Sequence, residues 1–344
     1  MTRVVAIQPR LRLGEVEHNL RRVEDLVRQA AREHQPDAVF LPEAMTSPNA
    51  YGPQMHHVAR PLLGAPLEVL RRLAREHGCL VGGGFLAVRG DEVRGTYALC
   101  EPDGAIHLHD KDLPSFWENA YSSPGVPGDD GVAQTALGPI GLACGWEWGR
   151  TRTVERLRGR VRLLGGGMHF LSYPSWPLTR PWFARDEELL VQYARELPGR
   201  VARMLGVPVA QPSHVGELDM ATPMAPGVRW RTRMLGETQV CDADGLPLAR
   251  MAYADGEGYV AAEVELAEPA PRDPAPRTFW NASFPLSAHL VWHVGNAHGR
   301  AQRALRARLG RNAWRPGPDL PAHVPAAQAP PLTDDPAHER AAMV

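Results

Sequence analysis

The sequence predicts an α/β fold made of two packed mixed sheets with helices on the outside, and two features carry that expectation. The first is an opening rhythm of strand, helix, strand, helix and strand. The second is a set of hairpins that interrupts the rhythm further along, which a simple doubly wound parallel sheet does not contain.

The opening run Val4-Val5-Ala6-Ile7-Gln8 reads as a strand, and residues 15–33 carry Leu20, Val23, Leu26, Val27 and Ala30 at helical spacing between charged residues. Ala38-Val39-Phe40-Leu41 is a short continuous apolar run stopped by Pro42, the pattern of a strand buried on both faces. Glu43 lies just beyond its C-terminal end. A helix over residues 67–77 feeds a strand over 80–85, and residues 95–108 form a hairpin turned by Pro102-Asp103-Gly104, with Lys111 just after it. Strands are expected at 140–145, 163–174 and 207–210, and a helix at 186–205. A second hairpin turns at Asp242-Ala243-Asp244-Gly245, and a last strand covers 259–264. Residues 1–267 are thus expected to form the main domain, 268–314 an extension with one helix over 287–309, and 315–344 a Pro- and Ala-rich tail without stable structure.

The whole-chain composition excludes several classes of function. A net charge of -1 over 344 residues implies neither a nucleic acid nor an anionic membrane as partner. The first residues run straight into a strand with no apolar leader or span, so a cytoplasmic location is expected. Cys79, Cys100, Cys144 and Cys241 are scattered, without a CxxC pair or zinc spacing, so neither a disulfide framework nor a structural zinc is expected. One bias is informative. Of the 38 basic residues, 37 are arginine and the remaining one is Lys111. Arginine serves wherever a surface cation suffices, but chemistry that needs a compact ammonium of adjustable pKa needs lysine.

Three segments point to chemistry. Phe40-Leu41-Pro42-Glu43 delivers a carboxylate at a strand end. His109-Asp110-Lys111-Asp112-Leu113 presents the ammonium after a hairpin, with Glu118 seven residues on. Gly138-Pro139-Ile140-Gly141-Leu142-Ala143-Cys144-Gly145-Trp146-Glu147 presents a thiol at the end of an apolar strand. In this order the segments resemble the nitrilase superfamily of thiol-dependent carbon–nitrogen hydrolases. The resemblance runs from about Val4 to Leu266 and includes Tyr173-Pro174-Ser175-Trp176 and the turn at Asp244-Gly245. It implies a four-layer α-β-β-α sandwich assembled as a homodimer or larger homo-oligomer. It also implies hydrolysis of a non-peptide carbon–nitrogen bond in a small amide, carbamoyl compound or nitrile, without metal or organic cofactor. By the same resemblance Glu43 is the general base, Lys111 stabilises the tetrahedral intermediate together with a backbone N–H, and Glu118 orients one of them. Gly145 and Trp146 would border the substrate.

The nucleophile segment departs from the pattern. In the family the cysteine follows a glycine by four residues and directly precedes an aromatic and an acidic residue; here both counts fall on Gly145, and Cys144 lies one residue early. On a regular strand that displacement turns a side chain to the opposite face. Three alternatives follow: a hydrolase in which a bend at Gly145 brings Cys144 to the site, a non-catalytic binding or interaction protein, and an altered segment or direct attack by water.

Other residues have plainer explanations. Cys79, Cys100 and Cys241 are expected to be packing thiols. His107 and His109 alternate on a strand and are expected on an exposed polar face rather than on a metal. Trp146, Trp148, Trp176 and Trp182 are candidates to line a pocket beside the site.

Overall fold

The computed structural model describes residues 1–223 and 225–309, so the tail expected over 315–344 lies outside the described residues. In chain order the elements are β1 (Thr2–Gln8), α1 (Val16–His34), β2 (Ala38–Phe40), β3 (Arg60–Pro61), α2 (Ala65–His77), β4 (Leu80–Arg89), β5 (Glu92–Cys100), β6 (Ile106–Asp110), β7 (Val132–Thr135) and β8 (Gly138–Cys144). There follow α3 (Thr151–Leu157), β9 (Leu163–Gly167), α4 (Arg180–Leu205), β10 (Val209–Gln211), β11 (Glu217–Ala221), β12 (Arg229–Arg233), β13 (Gly236–Cys241), β14 (Pro247–Ala252), β15 (Gly258–Val264) and α5 (Leu286–Arg308).

One sheet has the order β15-β1-β2-β4-β5-β6, with β3 beside β4, and the other the order β14-β13-β10-β9-β8-β7. Each is mixed: β1, β2 and β4 are parallel, as are β8, β9 and β10, and antiparallel strands complete both. Alternation along β1 shows how the layers form. Val5 and Ile7 face α1 and α2 in one core, whereas Val4 and Ala6 face the other sheet, where they share a core with Phe40, Tyr97, Leu142 and Val240. A third core packs α3, α4 and α5 on the outer face of the second sheet, through Ala143, Leu164, Leu197 and Trp292. The fold is the α-β-β-α sandwich expected from the sequence.

Several boundaries differ. The strand expected over 163–174 ends at Gly167, because the chain then leaves the sheet as a loop carrying His169, Phe170 and Ser172. Helix α4 begins at Arg180 rather than 186; Pro181 stands in its first turn, where a missing N–H costs nothing. The small hairpin of β11 and β12 was not anticipated, its strands being rich in charge: Arg229 and Arg231 both pair with Asp219 across it.

Candidate functional site

Glu43, Lys111, Gly145 and His169 all follow the C-terminal ends of strands, β2, β6, β8 and β9 respectively, which gather at one edge of the facing sheets. The segment after β2 keeps sheet-like bonds: Leu41 N–H donates to Gly82 O at 2.7 Å, Gly84 N–H to Pro42 O at 3.0 Å and Met45 N–H to Gly84 O at 2.8 Å. Glycine is required at 84, since a Cβ there would lie 2.2 Å from Glu43 O. The backbone of Glu43 is thereby fixed while its side chain projects past the sheet.

Lys111 is nearly fully buried, its N–H held by Gly95 O at 2.8 Å. Its Nζ donates to Glu43 Oε2 at 3.1 Å and to Glu118 Oε2 at 2.8 Å. Glu118 also accepts from Ser115 N–H at 2.8 Å and from Asn49 Nδ2 at 3.0 Å, and Asn49 N–H donates to His169 Nε2 at 3.0 Å. The short turn that carries Glu118, Phe116–Ala120, is braced from outside by α5: Asn296 Oδ1 accepts from Phe116 N–H at 3.1 Å and from Asn119 Nδ2 at 2.6 Å. Phe116 adopts φ +50°, a conformation that costs a residue with a bulky side chain and persists because the surrounding bonds impose it.

The three charges shift one another. Burial pushes the Glu43 carboxyl up to about 7, with Lys111 opposing and Glu118 adding to the rise. Burial alone would lower the Lys111 ammonium, but Glu118 and Glu43 outweigh it and hold it above its ordinary value. At neutral pH Lys111 is a firm cation, and Glu43 gains or loses its proton close to that pH.

Cys144 is placed differently. It ends β8 on the same face as Ile140 and Leu142, in the core between the sheets. Burial first, then the neighbouring Glu147 and Glu43, push its thiol well above the ordinary range, with Lys111 only partly opposing. The residue aimed at the carboxylate is Gly145. It takes φ +55°, and a Cβ built there would fall 2.3 Å from Glu43 Oε1 and 2.5 Å from Oε2. The displacement counted in the sequence is therefore real in space: β8 keeps its register through Cys144, and the bend comes one residue later.

Glu147 holds this bend. Its Oε2 accepts from Cys144 N–H at 2.7 Å, its Oε1 from Asp112 N–H at 3.1 Å, and His109 Nε2 lies 2.9 Å from Oε2. His109 is consequently not on an exposed face as expected. The loop carrying Asp129 folds over it, with Asp129 Oδ1 2.9 Å from Nδ1. Burial would lower the imidazole, but Glu147 and Asp129 outweigh it and raise His109 to about 9, while Glu147 falls well below the carboxylate range despite its burial. His107 pairs with Glu101 at 2.7 Å. Among the described residues no cluster of His, Cys, Asp or Glu could hold a metal ion, and no helix is long and apolar enough to cross a membrane.

Two cavities meet at Glu43 and Glu118. The larger, with an empty volume of about 640 Å³ including its open part, is walled by Phe116, Trp117, Trp146, Phe170, Tyr173 and Trp230, with Ala288 and Val291 of α5 closing one side. The smaller is lined by Lys111, Cys144, Thr46, Ser47 and Ser122. Of the four candidate tryptophans only Trp146 lines either cavity. Trp148 is fully buried and donates to Ala143 O at 3.2 Å, Trp176 packs on Trp230 outside the wall, and Trp182 is 76% exposed because it sits on the outer side of the first turn of α4. Cys79, Cys100 and Cys241 are buried packing thiols, each pushed by burial to about 12. Asn49, Ser115 and His169 are contributors that sequence reasoning missed; each lies on a loop where no periodicity marks it.

Residues 3–158 match the family model for carbon–nitrogen hydrolases. No curated protein matches the sequence. Among solved structures the chain is similar to a carbon–nitrogen hydrolase from Helicobacter pylori G27, with 20% identity and a TM-score of 0.60 over 77% of this chain and 89% of that one. It is similar also to Nit3 of Saccharomyces cerevisiae, from branch 10 of the nitrilase superfamily, with 18% identity and a TM-score of 0.54 over 76% and 89%. A third is an amidase variant from Nesterenkonia sp. AN1 bearing acrylamide added at its active-site cysteine, with 17% identity and a TM-score of 0.51 over 77% and 94%. Over residues 3–158 the chain is thus similar to carbon–nitrogen hydrolases, and it shares the fold of solved members of the nitrilase superfamily.

Proposed function

We propose that this chain uses a hydrolase-type site to bind a small molecule, and that it does not cleave a carbon–nitrogen bond through a thiol intermediate. The supporting observation is at position 145. Covalent catalysis needs a thiolate next to a base and an oxyanion-stabilising cation. Glu43 and Lys111 supply the second and third, but the residue facing them is glycine, and the carboxylate of Glu43 stands where that residue's side chain would begin. Cys144, in the core between the sheets, is a poor thiolate because burial opposes its ionisation. What remains is an aromatic cavity ending on charged groups, the usual composition of a small-ligand site.

A second function is favoured by one feature: Cys144 lines the smaller cavity together with Glu43, Lys111 and Glu118. A small amide or nitrile admitted there would meet thiol, base and ammonium. Glu43 would take the thiol proton, sulfur would attack the carbonyl or nitrile carbon, and Lys111 would stabilise the developing negative charge. Protonated by Glu43, the nitrogen would leave as ammonia (from a nitrile, after one water has added to the thioimidate), and a further water would then release the acid and restore the thiol.

The two are separated by incubating the protein with a panel of small amides, carbamoyl compounds and nitriles, measuring ammonia release and acyl adducts by intact mass. The binding function predicts neither. Sustained ammonia release that disappears in Cys144→Ser would establish hydrolysis instead.

A further inference from the structure

The larger cavity is unevenly charged. It ends on two carboxylates, Glu43 and Glu118, which share one cation, Lys111. The imidazole in its wall, His169, adds no positive charge at neutral pH, because burial drives it down to about 4. The carboxylates are also unequally engaged. Both oxygens of Glu118 are bonded, to Asn49 on one side and to Lys111 and Ser115 N–H on the other. Glu43 Oε2 takes the second Lys111 bond, whereas Oε1 accepts no hydrogen bond among the described residues. In its wall, Ser115 Oγ and Ser172 Oγ are buried without a hydrogen-bond partner among the described residues. A buried polar atom left unpaired is costly, so these atoms mark where a ligand's polar groups fit.

We infer that this cavity takes a small organic cation, a primary ammonium group on an aromatic or branched apolar body, with the ammonium against Glu43 Oε1 and the body among the rings of Phe116, Trp146, Phe170 and Trp230. The inference rests on the binding function proposed above and names its ligand. An ammonium balances the surplus carboxylate, donates to the one open carboxylate oxygen and to the serine hydroxyls, and gains from the faces of the surrounding indoles. A carboxylate ligand would place a third anion beside Glu43 and Glu118. A neutral amide would satisfy the hydroxyls but leave the charge uncompensated.

The test is calorimetric titration of the full chain with phenethylamine and with its neutral and anionic counterparts, hydrocinnamamide and hydrocinnamate, at about pH 6 and about pH 8. The amine is expected to bind at least about tenfold more tightly than either counterpart. Its affinity should also rise severalfold between the two pH values, because a carboxyl titrating near neutrality is largely protonated at the lower and largely ionised at the higher. Glu43→Gln is expected to remove both the preference for the amine and its pH dependence. Equal or tighter binding of amide or carboxylate, an amine affinity unchanged between the two pH values, or no binding of any of the three at millimolar concentration would overturn the assignment. The wild-type pH series decides even where Glu43→Gln does not fold. Ammonia released from hydrocinnamamide would refute the binding function itself, a separate failure with its own readout.

Discussion

Two buried ion clusters lie side by side at the strand ends, and they are built to opposite specifications. Around Glu147 every charge is answered: His109, Asp129, Asp112 N–H, Cys144 N–H and Arg156 close a sealed network, and Glu147 stays ionised although fully buried. Around Lys111 the account is left open. Two carboxylates share one ammonium, Glu43 Oε1 accepts no hydrogen bond among the described residues, and its carboxyl rises to about 7. Equal burial with unequal satisfaction separates a network that fixes a backbone bend from one that meets a ligand.

Substitutions should separate the two clusters by size of effect. Lys111→Met leaves Glu43 and Glu118 buried without their cation and is expected to destabilise the fold by about 3–5 kcal/mol in urea unfolding. Glu147→Gln removes the charge that His109 and the end of β8 share, with an expected loss of about 1.5–3 kcal/mol. A loss as large as that of Lys111→Met would mean that the sealed network is the more critical of the two. Gly145→Ala forces a side chain into the left-handed region against the Glu43 carboxylate; about 1–2 kcal/mol is expected from the backbone alone.

Stability should also depend on pH. Glu43 binds its proton more tightly folded than unfolded, so its contribution to stability is complete below its ordinary value of 4.5 and is lost as pH rises through about 7. His109, raised in the same sense, contributes fully below 6.5 and loses that contribution as pH rises through about 9. Unfolding measured across this range should show both windows, and Glu43→Gln should abolish only the lower one.

Much of the site could be read in the chain because its groups sit at the ends of recognisable strands. Glu43 follows an apolar run stopped by proline, and Lys111 stands out as the sole lysine. The slip at 144 and 145 was countable, since β8 keeps a strict period of two up to its last residue. What escaped depends on distant packing. The alternation of His107 and His109 gave a face correctly but not its cover, which the loop at Asp129 supplies. The helix at α5 was visible as periodicity, but its bond from Asn296 to the turn at Phe116 joins residues 180 positions apart. Trp182 looked like a wall residue only because aromatics were the available signal; its helix begins earlier than the pattern showed and turns it outward.

The most direct test of the claim that no nucleophilic thiol serves this site is alkylation of the native protein with iodoacetamide, the modified residue located by mass spectrometry, in wild type and in Glu43→Gln. Cys144 is predicted to label no faster than Cys79, Cys100 and Cys241, and only as the protein unfolds. Rapid labelling of Cys144 in the folded protein, slowed by Glu43→Gln, would contradict the account and make Cys144 an activated nucleophile.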